Sequence, residues 1–305
     1  MQNHFKSFMK KFFRLPTDAF ILSSKRLPDI IQRKIDEDIT ISSRYIPYLP
    51  GQGAYSIPQK VSDLSEVDED GLPIPPKELW LNYGQTASEY LDMGSRHVDK
   101  MEKIVMDAGF SLKDAGRILD FGCAAGRMVR KLVYLADVCE IWGCDISAAH
   151  IIWCQQHLSP PFKFVNTTTY PHLPFEDCSF GFIYAGSVFT NIAELADAWL
   201  LELRRLLRPG GMLFLTVHDE HTRQLILKRN GDSSIAQLIR TNFQDHRLSE
   251  TDLGMYVIYR TAGMTQVFHD ISYIRHHWGQ YMEILSVTEE AYGPQTAVLM
   301  RKKLA

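Results

Sequence analysis

The chain has 305 residues, 45% of them hydrophobic and 23% charged, with a formal net charge of −3. This is enough apolar material for one large domain and an appendage, and the charge balance excludes a chain-wide nucleic-acid footprint, so no nucleic-acid partner is expected. No apolar run reaches bilayer length and the start lacks a signal peptide's apolar core, so a cytoplasmic protein is expected.

Residues 5–15, FKSFMKKFFRL, alternate aromatic residues and cations. At helical spacing these separate into an apolar and a basic face, suited to packing back onto the chain's own domain, a dimer contact, an anionic membrane surface or a partner's groove. Residues 45–76 then carry repeated Pro and Gly around an acidic knot, SEVDED, and read as a long extended connection. The expected organisation is an N-terminal extension over 1–76 and one domain over 77–305.

Within that domain short apolar runs alternate with helical patterns. RILDF (117–121) reads as a strand followed by a helix from Gly126 to about Ala136. EIWGC (140–144), FKFV and SFGFIYA (179–185) continue the strands, with SAAHIIWCQQHL as a helix between them. NIAELADAWLLELRRLL has apolar residues at three- and four-residue spacing, and Pro209-Gly210-Gly211 stops it before the strand MLFLTV,. YMEILSV and TAVLMRK, separated by TEEAYGPQ, read as a closing antiparallel pair. All-apolar strands alternating with helices indicate an α/β, doubly wound, Rossmann-like sheet with helices on both faces. Its ligand belongs beyond the carboxyl ends of the strands. The five cysteines, Cys123, Cys139, Cys144, Cys154 and Cys178, lie in or beside apolar runs without metal-ligand spacing. Buried, reduced thiols and no metal are expected.

The stretch ILDFGCAAGR (118–127) places a glycine turn at that ligand edge. Gly122 and Gly126 allow a sharp bend and close approach of a ligand. Ala124 departs from the dinucleotide fingerprint G-x-G-x-x-G. Asp145 ends the next strand, where a carboxylate accepts hydrogen bonds from both hydroxyls of a ribose. Asp120 closes the first strand beside the turn, placed to orient loop amides or receive an ammonium group. With no cation cluster for a pyrophosphate, a nucleoside bearing an amino acid fits better than a dinucleotide.

ILDFGCAAG resembles motif I of the class I S-adenosylmethionine (SAM)-dependent methyltransferases. GCDIS is similar to their second motif, LPFEDCSFGFIYA to the fourth-strand motif, and LRRLLRPGGMLFLTV to the passage into the fifth strand. WLLELRRLLRPGG, SVFTNI and the WC of the 147–158 helix resemble a bacterial subgroup often found in surface-glycan or secondary-metabolite gene neighbourhoods. The resemblance runs from about Leu79 to Lys303 and implies a seven-stranded sheet with an antiparallel C-terminal hairpin. It implies that Asp120, Gly122, Cys123 and Gly126 contact the methionine part of SAM, and that Asp145 holds the ribose. Ile146 would cover the adenine, with Asn166 or Thr167 near its amino group. Ala185 and Gly186 would offer carbonyls to the ammonium, and Tyr83 would close over the cofactor. Gly181 and Asn191 depart from the family pattern, which has Asp and the subgroup's His there.

Methyl transfer to a hydroxyl needs a base, and His218 and His221 in TVHDEH follow the fifth strand at the ligand edge,. Asn191 and His172 are weaker candidates. The acceptor is expected to be a small polar molecule, such as a sugar, glycan precursor or secondary metabolite, methylated on oxygen or nitrogen. The charged residues between Asp219 and His269 suit a polar or anionic acceptor and equally a solvated surface. Two rival readings are a non-catalytic SAM-binding scaffold and a nicotinamide-dependent oxidoreductase, the latter lacking its third glycine.

Overall fold

The computed structural model describes residues 66–193, 195–229, 236–237, 239–240, 255–261 and 264–304. The amphipathic segment 5–15, the connection up to residue 65, and Asp245, His246 and Arg247 lie outside the described residues. In chain order the strands are β1 (Arg117–Phe121), β2 (Glu140–Asp145), β3 (Lys163–Asn166), β4 (Phe180–Ala185) and β5 (Leu207–Val217). β6 (Met255–Thr261), β7 (Met264–His269), β8 (Glu283–Tyr292) and β9 (Gln295–Arg301) follow. Seven of them form one sheet in the order β3-β2-β1-β4-β5-β9-β8, and β6 and β7 pair separately. β1 to β5 run parallel, while β9 is antiparallel to both β5 and β8.

The sequence accounts for both layers. β4 is buried at every position, as a parallel strand covered on both faces must be. Phe182 and Tyr184 face Met101 and Val105 of α1 (Ala87–Asp107) and Ile151 and Cys154 of α2 (Ala148–His157). Ile183 and Ala185 face Trp199 and Leu203 of α3 (Ala196–Leu206), together with Trp278. The strand order reverses between β1 and β4, which puts the crevice at the carboxyl ends of β1, β2 and β4,.

Several expectations are corrected. Residues 126–136 form a 3₁₀ helix over Val129–Leu135, not an α-helix. Contacts on both sides hold this segment. A Cβ on Gly94 of α1 would lie 2.6 Å from the Arg127 carbonyl oxygen, and Arg130 is drawn into a buried ion pair with Asp68 at 2.9 Å. Pro209-Gly210-Gly211 lies inside β5, because the Gly210 amide and Gly211 carbonyl pair with the Lys302 backbone at 3.0 and 2.9 Å. β8 runs on through TEEAY to Tyr292, with shifts in register and Glu290 in the left-handed region. Cys178 is exposed, while the other four thiols are buried. The acidic knot is not free connection throughout: Asp68 lies inside the fold, and Val67 bridges Pro73. Gly181 has a steric reason, since a Cβ there would meet the Ala115 carbonyl oxygen at 2.2 Å.

Candidate active site

The glycine turn is fastened from β2. The amides of Gly122 and Cys123 both donate to the Cys144 carbonyl, at 2.8 and 3.0 Å. The Ala124 amide donates to Asp145 Oδ2 at 2.9 Å, and the Ser147 amide to Oδ1 at 2.7 Å. Ala124 adopts φ +45° and tolerates the left-handed bend without a glycine. Gly122, at φ +87°, has no room for a side chain, since a Cβ would lie 2.3 Å from Val188 Cγ2. Gly126 instead gives way to Leu158, 2.6 Å from where its Cβ would be. The Cys123 thiol is buried, 2.8 Å from where a Cβ on Gly143 would lie, so the turn offers backbone and not sulfur.

Two carboxylates stand at neighbouring strand ends. Asp120 is buried, and that burial pushes its pKa up to about 8 against the opposing pull of the Tyr184 hydroxyl and the Arg127 guanidinium,. Asp145 is partly exposed at the rim, and burial raises it too, against the Ser147 amide and His150. Beside it Asn166 Nδ2 and the Thr167 amide both donate to the Asp145 carbonyl, at 2.8 and 2.9 Å. The Thr167 hydroxyl is buried without a hydrogen-bond partner among the described residues. Ile146 is half-buried.

The β4 end is tied by side chains. The Ser187 amide donates to Thr216 Oγ1 at 2.7 Å, and Gln295 joins both hydroxyls. Gly186 follows buried Ala185, and a Cβ on it would lie 2.8 Å from the Tyr292 ring. Tyr292 and its neighbour His97 were passed over in the sequence, and both meet Tyr83, which was not. The Tyr292 ring stacks on His97 at 3.7 Å, its hydroxyl donates to Tyr83 at 3.2 Å, and the Arg127 guanidinium bonds to it. Arg127 lies 3.9 Å over the Tyr83 ring. His97 is held down to about 3 by burial and the Arg127 charge, so the box of Tyr83, His97 and Tyr292 is neutral around a buried cation. Only the position of Arg127 directly after the turn signals this in the sequence.

The expected bases separate. His218 directly follows β5 and is buried, held down to about 4 by burial and by His269, with no hydrogen-bond partner for Nδ1 among the described residues. His269, absent from the sequence reading, is equally buried at about 4 and contacts the Phe189 carbonyl at 3.1 Å. His221 lies on α4 (Glu220–Arg229), partly exposed, with Nδ1 3.3 Å from Glu289 and Nε2 3.4 Å from Glu290. A cavity of about 550 Å³ opens beside it, lined by Asp219, Glu220, His221, Ile271, Arg275 and Glu289 among others. Asn191 is exposed and braces its own loop through Ser187 and Thr190, and His172 is exposed against Glu202 at 3.9 Å. Among the described residues no cluster of His, Cys, Asp and Glu has the arrangement of a metal centre.

Residues 119–215, which include the ends of β1 to β4 and most of β5, match the methyltransferase domain family. By that match the span is a methyltransferase domain. The chain is also 28% identical over 106 residues to sterol 24-C-methyltransferase erg6 of Schizosaccharomyces pombe. That stretch is 33% of this chain and 27% of that protein, so the chain spans about a quarter of the curated relative it matches. Among solved structures, a Pyrococcus horikoshii OT3 protein is similar with a TM-score of 0.51 at 17% identity, over 75% of this chain and 100% of that one. It shares the α/β fold alone. A Methanosarcina mazei SAM-dependent methyltransferase gives a TM-score of 0.47 at 19% identity, over 66% and 98% of the two chains. No helix among the described residues is long and apolar enough to cross a membrane.

Proposed function

We propose that the chain moves a methyl group from SAM to an oxygen or nitrogen of a small polar acceptor, such as a sugar, a glycan precursor or a secondary metabolite. One observation carries this reading. Asp120, the turn Gly122–Gly126, Asp145 and Gly186 converge at the carboxyl ends of β1, β2 and β4, around backbone with no room for side chains. The unpartnered Thr167 hydroxyl fits the same ligand, being a buried polar atom at the β3 end that lacks a partner,. Asp145 would hold the ribose, Ile146, Asn166 and Thr167 the adenine, and Asp120, the turn and the Ala185–Gly186 backbone the methionine part. Tyr83 would close this end through Tyr292.

The cofactor supplies a methyl already activated by its sulfonium for in-line displacement. What remains for the chain is to align the acceptor, exclude water and take the proton that an acceptor O–H or N–H loses. Alignment of this kind contributes on the order of 7–11 kcal/mol. His221 is the better placed of the two histidines to act as base, because it borders the cavity and Nε2 against Glu290 orients its ring, leaving Nδ1, beside Glu289, to take the proton,. His218 is neutral and enclosed, a wall of the acceptor side. The carboxylates of Asp219, Glu220 and Glu289 around the cavity favour a hydroxyl or amine acceptor over a carboxylated one,.

Calorimetry with SAM and S-adenosylhomocysteine (SAH) tests the cofactor half. Asp145→Asn, which keeps the shape of the turn, is expected to weaken SAH on the order of 100-fold, from the loss of charged hydrogen bonds to two hydroxyls. Unchanged affinity would sink the ribose assignment. SAH release across a panel of sugars, amines and hydroxylated metabolites then identifies the acceptor.

A further inference from the structure

Near Asp145 lies a second acceptor atom with nothing to accept from. His150 sits in the first turn of α2, which begins directly after the Asp145–Ile146–Ser147 corner, and is 7% exposed. Its Nε2 lies 3.2 Å from the Leu79 carbonyl oxygen. A carbonyl only accepts, so Nε2 carries the proton. In a neutral imidazole the other nitrogen is then a bare acceptor. That atom, Nδ1, is buried with no hydrogen-bond partner among the described residues. A buried polar atom left in this state costs about 1–3 kcal/mol.

The surroundings indicate what is missing. Asp145 closes β2 five residues before His150, and its ionised carboxylate can likewise only accept. Its two oxygens already take the Ala124 and Ser147 amides, leaving further lone pairs. The corner therefore presents two acceptors, and the group that satisfies both must bring two donors close together. A ribose cis-diol is such a group. The Leu79 carbonyl holds the ring in one orientation, as preorganised recognition requires.

We propose that His150 is a nucleoside contact, its Nδ1 accepting a hydrogen bond from one ribose hydroxyl while Asp145 accepts from the other. This rests on the cofactor reading above and deepens it. The corner selects for an intact cis-diol through two residues of different chemistry.

The test compares SAH with its 2′,3′-dideoxy counterpart, by calorimetry, on the full chain and on His150→Leu. SAH is expected to bind His150→Leu roughly tenfold more weakly, while the dideoxy compound binds both proteins alike to within about twofold. Equal losses for both ligands, or no loss for either, overturn the proposal. Should His150→Leu not fold, nitrogen NMR of the unaltered chain decides: the bare Nδ1 resonance moves on adding SAH if it gains a donor, and a fixed resonance at saturation overturns the assignment. Absence of SAH binding by the unaltered chain would overturn the cofactor reading along with this one. Normal SAH binding with an indifferent His150 would remove this one alone.

Discussion

The two halves of the ligand edge are built by different means. On the cofactor side, from β1 to β4, backbone groups make the site. Amides of the turn are tied to Cys144 and Asp145, and Gly122 and Gly186 stand where a side chain would collide. On the proposed acceptor side, beyond β5, side chains make it: His221, Asp219, Glu220, Glu289 and Arg275 line the cavity, and His221 also meets Glu290, 69 positions on. A backbone-built site takes one ligand and is written in a short stretch of sequence. A side-chain-built site can be re-specified by a few substitutions without disturbing the sheet.

If the halves are separable, the largest effect comes from the acceptor side. His221→Ala should lower turnover on the order of 10²–10⁴-fold, the usual yield of a positioned base. SAH affinity should stay within about twofold, as a base that touches only the acceptor requires. Turnover followed by SAH release and affinity followed by calorimetry give the two numbers. A parallel fall in both would break the division.

Next in size is a stability effect that touches neither half directly. Asp68 and Arg130 form an ion pair whose side chains are 1% and 0% exposed, and Asp68 also accepts the Asp70 and Leu72 amides. Asp68→Ala strands a buried guanidinium and should cost about 3–5 kcal/mol in urea denaturation. Asp107→Ala, which removes the exposed Lys103–Asp107 pair on α1, should cost less than about 1 kcal/mol. Similar costs for the two would show that residues 66–76 are not part of the cooperative fold.

The same division explains what was legible in the sequence. The strands and the turn could be read because buried parallel strands are continuous apolar runs and tight turns require small residues. α1 escaped the reading, although Thr86 and Glu89 cap it: Thr86 accepts the Glu89 amide at 3.2 Å and Glu89 the Gln85 amide at 2.7 Å,. The box of Tyr83, His97, Arg127 and Tyr292 could not be read, because packing brings together residues as much as 209 positions apart. The 3₁₀ geometry of Val129–Leu135 was hidden for the same reason, since contacts with Gly94 and Asp68 override local propensity,. Gly181 read as a missing acid, whereas the Ala115 backbone excludes any side chain there.

The smallest effect is a fraction of a proton, and it sharpens the cofactor half. Asp120, with its pKa near 8, is largely protonated at neutral pH. An ammonium group brought beside it lowers that pKa, so SAH binding at pH 7 should release protons. The binding enthalpy should then change with the ionisation heat of the buffer, the dependence fading above pH 9, where Asp120 is already charged, and vanishing in Asp120→Asn. Stability of the free chain follows the same raised pKa with a definite sign. The neutral form suits the buried site, so this contribution is complete below the ordinary carboxylate range near 3.8 and is lost as pH rises through about 8,. The melting difference between Asp120→Asn and the unaltered chain should therefore shift in favour of the variant between pH 5 and pH 8. Buffer-independent heats at pH 7 would mean that Asp120 does not meet the ammonium group.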